Sequence, residues 1–207
     1  MRRIAACIAL SVLFVIMASG CAATREVTRV DPGKTTDLSG RWNDTDSQQV
    51  AESIVNDCLA SGWLPEWVDA HPGQKPVVIV GSIANKSHEH INVQTFVKDI
   101  QSALINSRKV KFVSSRDERG EVRDERRDQH QGYTSEETRA GVGQETGAAF
   151  MLKGSLNTIV DELEGKRAIW YQVNMELHDL TTNEISWIGQ HKIKKIITKG
   201  SSRWWCR

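Results

Sequence analysis

Ile169-Trp170-Tyr171-Gln172-Val173-Asn174-Met175-Glu176-Leu177 is apolar at every odd position and, Trp170 apart, polar at every even one. A period of two belongs to an extended chain, whose side chains alternate between the faces of a sheet. Thr181 to Glu184 supplies a turn and Ile185 to Ile196 returns, so the two runs predict a long antiparallel hairpin. One face of that hairpin is apolar and needs helices to cover it.

Working back along the chain, Phe150, Leu152, Gly154 and Leu156 alternate with Met151, Lys153, Ser155 and Asn157, which predicts a further strand. Gly154 inside it suits a close approach of neighbouring chains. Pro76 to Val80 is a short continuous apolar run, expected to be a strand buried on both faces, with Gly81 to Ser87 as the polar turn after it. Val110 to Val113 is a second short strand. Between them, Val93, Phe96, Val97, Ile100 and Leu104 line one face of a helix over Asn92 to Ile105. Upstream, Asp44-Thr45-Asp46 offers N-cap oxygens to a helix carrying Val50, Ile54, Val55 and Cys58. Gly62 to Gln74 reads as a loop. Thr134-Ser135-Glu136-Glu137 has the spacing of a capping box, which predicts a helix that stops near Gly147. The order is helix, strand, helix, strand, one or two helices, then three strands. The fold class expected is α+β: a single domain with a mostly antiparallel sheet of about four to five strands and helices packed against it.

The first residues are an export leader. Arg2 and Arg3 precede an uncharged apolar run, Ile4 to Met17, then Ala18-Ser19-Gly20 and Cys21. The run is about fourteen residues, short of the roughly 20 that span a bilayer. A Cys directly after the small residues is the acceptor for a lipid, and the segment resembles the bacterial lipobox. Ala22 after it, rather than Asp, matches an outer-membrane address in enteric bacteria. The organisation expected is 1–20 leader, 21–40 lipidated tether, 41–197 domain and 198–207 C-terminal tail. Ala22 to Asp37 is polar and unpatterned, reaching at most about 55 Å extended and nearer 20 Å as a coil.

The leader takes away Arg2 and Arg3 but no acid, leaving 25 basic and 26 acidic residues. That balance argues against nucleic acid, which requires a basic surface. Cys7 leaves with the leader and Cys21 takes lipid. Cys58 and Cys206 remain, either as a disulfide stapling the tail to the first helix or as a buried thiol and a free one.

The residues offer little chemistry. Lys86-Ser87 ends like a phosphate loop, but Asn85 and Val80 stand where that motif requires glycine. His88-Glu89-His90 has no third or fourth ligand nearby and reads as a loop before a helix, so no metal is assigned. No nucleophile motif is present, and no carboxylate stands in an apolar setting suited to acid catalysis. Neither a catalytic residue, a cofactor nor a small-molecule substrate is expected.

Arg116 to Asp128 holds five arginines and six acids, segregated on a helical wheel. Arg116, Arg119, Arg123, Arg126 and Arg127 fall within roughly 100°. Like charges three and four residues apart repel. Two readings stay open: a solvated helix whose stripes neutralise each other sideways, or a stripe that meets complementary charge on the domain or on a partner.

Several stretches together resemble a known family: Leu38-Ser39-Gly40-Arg41-Trp42-Asn43-Asp44-Thr45-Asp46, Lys75 to Gly81, Asn85-Lys86-Ser87 with Glu89-His90-Ile91, Arg116 to Glu121, Tyr133 to Thr138, Gly143 to Ala148, and Trp187-Ile188-Gly189-Gln190. They resemble the LpoB family of outer-membrane lipoproteins over about residues 38–196. The resemblance implies a non-catalytic protein facing the periplasm that docks on a class A penicillin-binding protein and raises its peptidoglycan synthesis. Enteric members carry a long Pro-rich tether, whereas this one is short. Arg116, Arg119, Arg123 and Tyr133 are the expected docking residues. The alternative class is a subunit of an oligomeric, curli-channel-like secretion lipoprotein, resembled by Gly147 to Ser155. It requires additional membrane-crossing strands of about ten residues, and none is apparent.

Overall fold

The structure is a computed structural model that describes residues 27–31 and 33–198. The expected leader, Cys21 and, beyond Thr198, the expected tail with Cys206 lie outside the described residues. The chain divides into two compact units, Met1–Lys34 and Thr35–Arg207. In the first, the Asp31 carboxylate accepts from the Gly33 N–H at 2.8 Å, an Asx turn.

The second unit opens with α1 (Asp44–Ala60), capped one residue before the expected oxygens. The Asn43 side chain accepts from the Asp46 N–H, and Asp46 accepts from the Asn43 N–H, both at 3.0 Å. This is a reciprocal capping box. Val50, Ala51, Ile54, Val55, Cys58 and Leu59 face inward. A second helix, α2 (Trp63–Ala70), stands where a loop was expected. Pro65 misled that reading: it occupies the first turn, where its missing N–H has no helical partner to lose. Trp63 and Leu64 are its buried residues, and the Trp63 ring lies against Phe150 with centroids 4.9 Å apart.

Next comes β1 (Val77–Lys86), then α3 (Val93–Ser107) and β2 (Lys111–Phe112). Val78, Ile79 and Val80 are buried in succession, as a continuous apolar run implies. The turn expected at Gly81 does not form. β1 runs on to Lys86 through a register irregularity between Val80 and Ile83, a bulge that absorbs the polar Gly81-Ser82 pair. β2 is shorter than the expected strand.

The charged helix α4 (Arg119–Gln129) starts three residues later than its charge pattern suggested. Among the described residues no helix follows Thr134. Ser135 Oγ lies 2.7 Å from Thr138 Oγ1 and its carbonyl accepts from the Thr138 and Arg139 N–H groups, a single turn. Gly141, Gly143 and Gly147 then withhold the apolar stripe and backbone order that would propagate it.

β3 (Phe150–Leu163), β4 (Lys166–Asp179) and β5 (Ile185–Thr198) complete the fold. The sheet order is β2-β1-β3-β4-β5. β3–β4 and β4–β5 are long antiparallel pairs, and the shorter β1–β2 and β1–β3 pairs are parallel. The sheet is thus mostly antiparallel, with a parallel flank. Ile169, Tyr171, Val173, Met175 and Leu177 point inward as their alternation requires. With Phe96, Ile100 and Leu104 of α3 and the buried face of α1, they form the core.

Candidate docking face

α4 buries no residue among those described. Its mean hydropathy is low and Val122 is half exposed, so charge rather than packing positions it. Polar contacts fix it along its length, and at its C-terminal end Gln129 Oε1 accepts from the Ala140 N–H at 2.9 Å. At the N-terminal end, Glu118 pairs with Lys98 of α3 and accepts from the Ser115 N–H and Oγ, both at 2.9 Å. The Lys98 ammonium and the Ser115 donors hold the Glu118 carboxyl down to about 2. Along the helix, Arg123 grips Glu145 with both prongs, Nε to Oε1 at 2.9 Å and Nη2 to Oε2 at 2.7 Å. Arg126 Nη1 adds a third bond at 2.8 Å. Bidentate guanidinium–carboxylate contact is the strong, geometrically specific form of ion pair. Hydrogen bonds from Arg123 first, then Arg126, hold the Glu145 carboxyl at about 2.

Of the two readings of the arginine stripe, complementary charge on the domain itself is realised for Arg123 and Arg126. Glu145 was legible only as part of the Gly143 to Ala148 stretch; nothing marked it as the partner of the stripe. Arg127 pairs sideways with Asp124. Arg116 is exposed ahead of the helix. Arg119 is half-buried, with its Nε lacking a hydrogen-bond partner. Tyr133, 90% exposed in the turn after α4, makes no ring contact or side-chain hydrogen bond with the described residues. The four expected docking residues therefore lie on one helix and its flanks but are not joined into one cluster. Arg123 lines an open cleft of about 540 Å³ with Gly120, Arg126, Val142, Gly143 and Glu145.

The other motifs are structural. Asn85 closes a turn by accepting from the Ser87 N–H at 2.9 Å and donating to the Glu89 carbonyl at 2.9 Å. Glu89 accepts from the Tyr171 hydroxyl at 2.7 Å and from the Trp42 N–H at 3.3 Å. Trp42 in turn sits edge-on to Phe96 and Tyr171. The opening motif and the His-Glu-His loop are thus two halves of one latch onto β4. No group of three metal-ligating side chains occurs among the described residues. No described helix is long and apolar enough to cross a membrane.

The sequence profile of the family described as "Peptidoglycan-synthase activator LpoB" matches residues 46–193, well over half the chain. The chain belongs to that family. The LpoB C-terminal domain from Salmonella enterica is 20% identical, with 72% of this chain and 98% of that one covered at a TM-score of 0.41. The domain from Escherichia coli is 18% identical, with 74% and 99% covered and a TM-score of 0.42. Lipoprotein GNA1162 from Neisseria meningitidis is 14% identical over 61% and 88%, at 0.38. No curated protein matches the chain. The LpoB family is a regulatory one that activates peptidoglycan synthesis, not a catalytic one.

Proposed function

We propose that this LpoB-family protein is anchored through a lipid on Cys21 in the outer membrane, faces the periplasm, and binds and activates a bifunctional class A penicillin-binding protein. The observation that carries the reading is the family match over 46–193. The leader ending at Cys21 supports the anchor, and the organisation into leader, tether (21–40), domain (41–197) and tail (198–207) follows from it. The docking residues are Arg116, Arg119, Arg123 and Tyr133. Glu145 holds Arg123 in place, while Arg116 and Tyr133 present a free charge and a free ring. Exposed aromatic and arginine side chains are the types that anchor protein interfaces. No cofactor, nucleic acid or small-molecule substrate takes part.

The test has two arms. The full lipidated chain, captured from solubilised envelopes, brings down a class A penicillin-binding protein and raises its glycan polymerisation when added back. Reproducible capture of an unrelated protein, with no stimulation, overturns the reading. Cys21→Ser abolishes membrane fractionation; a variant that still sediments with outer membranes removes the anchor.

A further inference from the structure

β5 is the last strand of the sheet, bonded on one side to β4 from Ile185 to Thr198. Among the described residues no strand pairs its other side. The opposite edge, β2, is only two residues long. Among the described residues β5 is therefore the longest open edge, 14 residues, longer than the side of β1 that β2 leaves unpaired beyond Val78. Alternate N–H and C=O groups along such an edge are bonded to water or to an added chain, which makes it a template for one more strand.

The side chains of β5 restrict which chain that is. On the outer face of the sheet the row reads Ile188, Gln190, Lys192, Lys194, Ile196, all exposed. Ile188 is 64% exposed and Ile196 is 71% exposed. Two cations are thus bracketed by two bare apolar side chains. Across the ladder, Lys192 faces Gln172 and Lys194 faces Trp170. Neither neighbour is a carboxylate, and neither lysine forms an ion pair with a described residue, whereas Lys195 on the inner face is fully engaged by Asp37 and Asp46. Lys192 stands 5.8 Å from the centroid of the Trp170 ring. A second copy of this chain adding its own β5 brings three further lysines and no acid. Self-pairing therefore leaves these cations uncompensated.

We infer that the free edge of β5 takes an extended acidic segment of a partner protein as a sixth strand, with carboxylates opposite Lys192 and Lys194 and apolar side chains over Ile188 and Ile196. Main-chain hydrogen bonds supply affinity in this mode and the side-chain row supplies selectivity. Opposite charges directly across a ladder attract and like charges repel. The inference goes beyond synthase activation and does not rest on it: it concerns a different surface from α4 and holds whichever protein carries the segment.

The full chain, purified in detergent, is titrated against a fluorescent peptide alternating valine and glutamate. Three control peptides are used: one with lysine for glutamate, one with glutamine for glutamate, and one N-methylated at alternate amides. The acidic peptide binds, added salt weakens it, and hydrogen exchange slows at alternate amides of 186–197. The doubly substituted chain K192E/K194E, checked for unchanged circular dichroism, loses at least about tenfold in affinity. Equal binding of the N-methylated peptide shows plain charge attraction and overturns strand addition. Equal binding of the lysine or glutamine peptide overturns the acidic selection. Absence of binding by the acidic peptide, or a dimer mass that K192E/K194E removes, overturns the inference as a whole. The N-methylated and glutamine arms use the unsubstituted chain, so a misfolded variant does not rescue the idea.

Discussion

Gly189 has no side chain because the Trp187 ring occupies its place: an added Cβ meets Trp187 Cζ2 at 2.0 Å. That ring is held by its own Nε1–H, which donates to Asp57 of α1 at 3.2 Å. Trp187 therefore cannot yield without releasing the strand from the helix. Gly189→Ala is expected to destabilise the domain by about 2 kcal/mol, the ordinary cost of forcing a methyl into filled space, read as a lower urea midpoint with unchanged slope. Gly154 presents the same case against backbone, where a Cβ lies 2.2 Å from the Asn174 carbonyl oxygen. The sequence placed a small residue there for close packing, and the period of two located it, whereas nothing singled out Gly189 within the returning strand. It gave no means of seeing that Glu89 would reach Tyr171 across the fold, since that pairing depends on topology rather than on neighbours in the chain. Cys58 makes a further residue-scale prediction. It is 2% exposed, and burial pushes its thiol up to about 12. Because the thiolate is the reactive form, iodoacetamide at pH 8 leaves Cys58 unmodified in the native chain and modifies it in denaturant. If Cys58 and Cys206 pair, neither reacts in denaturant until a reductant is added.

α4 and the segment after it show how far periodicity carries at the scale of an element. Charge segregation located the helix to within three residues, because a solvent-facing helix states its period in charge as well as in apolar residues. The same reasoning failed at Thr134. A capping box marks where a helix can start, but with no apolar stripe beyond it nothing pays for propagation. The Gly143 to Ala148 stretch is instead held to the helix by Glu145. The sign of its pH dependence follows from the lowered carboxyl. A group at about 2 in the folded chain against an ordinary carboxyl value of 4.5 contributes stability above roughly pH 4.5, lost as pH falls toward 2. The 141–147 segment is therefore expected to detach from α4 over that window while the sheet persists, seen as amide exchange rising there first. Glu145→Gln brings the same loosening to neutral pH and removes the pH dependence from that segment. A segment that exchanges at one rate from pH 7 to pH 2.5 contradicts the clamp.

For the whole molecule, what matters is how the domain is fastened to the segment of chain that leads into it. Lys195 on β5 donates to Asp37 Oδ1 at 2.6 Å and to the Arg41 carbonyl at 3.1 Å, and it pairs with Asp46 Oδ2 at 2.6 Å. Its side chain is 11% exposed and that of Asp46 is 8% exposed. Burial works against the Lys195 charge, but the two carboxylates outweigh it and hold the ammonium above its usual range, while Asp37 is held below the usual carboxylate range. One ammonium thereby joins the incoming segment, the cap of α1 and the edge strand. A pull arriving along residues 35–41 is passed to a 14-residue strand paired over its length with β4, not to the first turn of α1 alone. Lys195→Met keeps the aliphatic stem but strands the Asp46 carboxylate in a nearly buried site. Removing one partner of such a pair costs about 3 kcal/mol, which for a domain of this size lowers Tm by about 10 °C. Asp37→Asn breaks only the exposed arm and is expected to shift Tm by under about 3 °C, yet to speed amide exchange across 37–41. If the clamp carries load from the incoming segment to the domain, both variants unfold from the α1 end at lower force in single-molecule pulling through residue 22, and Lys195→Met more so. Equal unfolding forces for the parent and Lys195→Met would mean that tension bypasses β5 and enters through the helix cap.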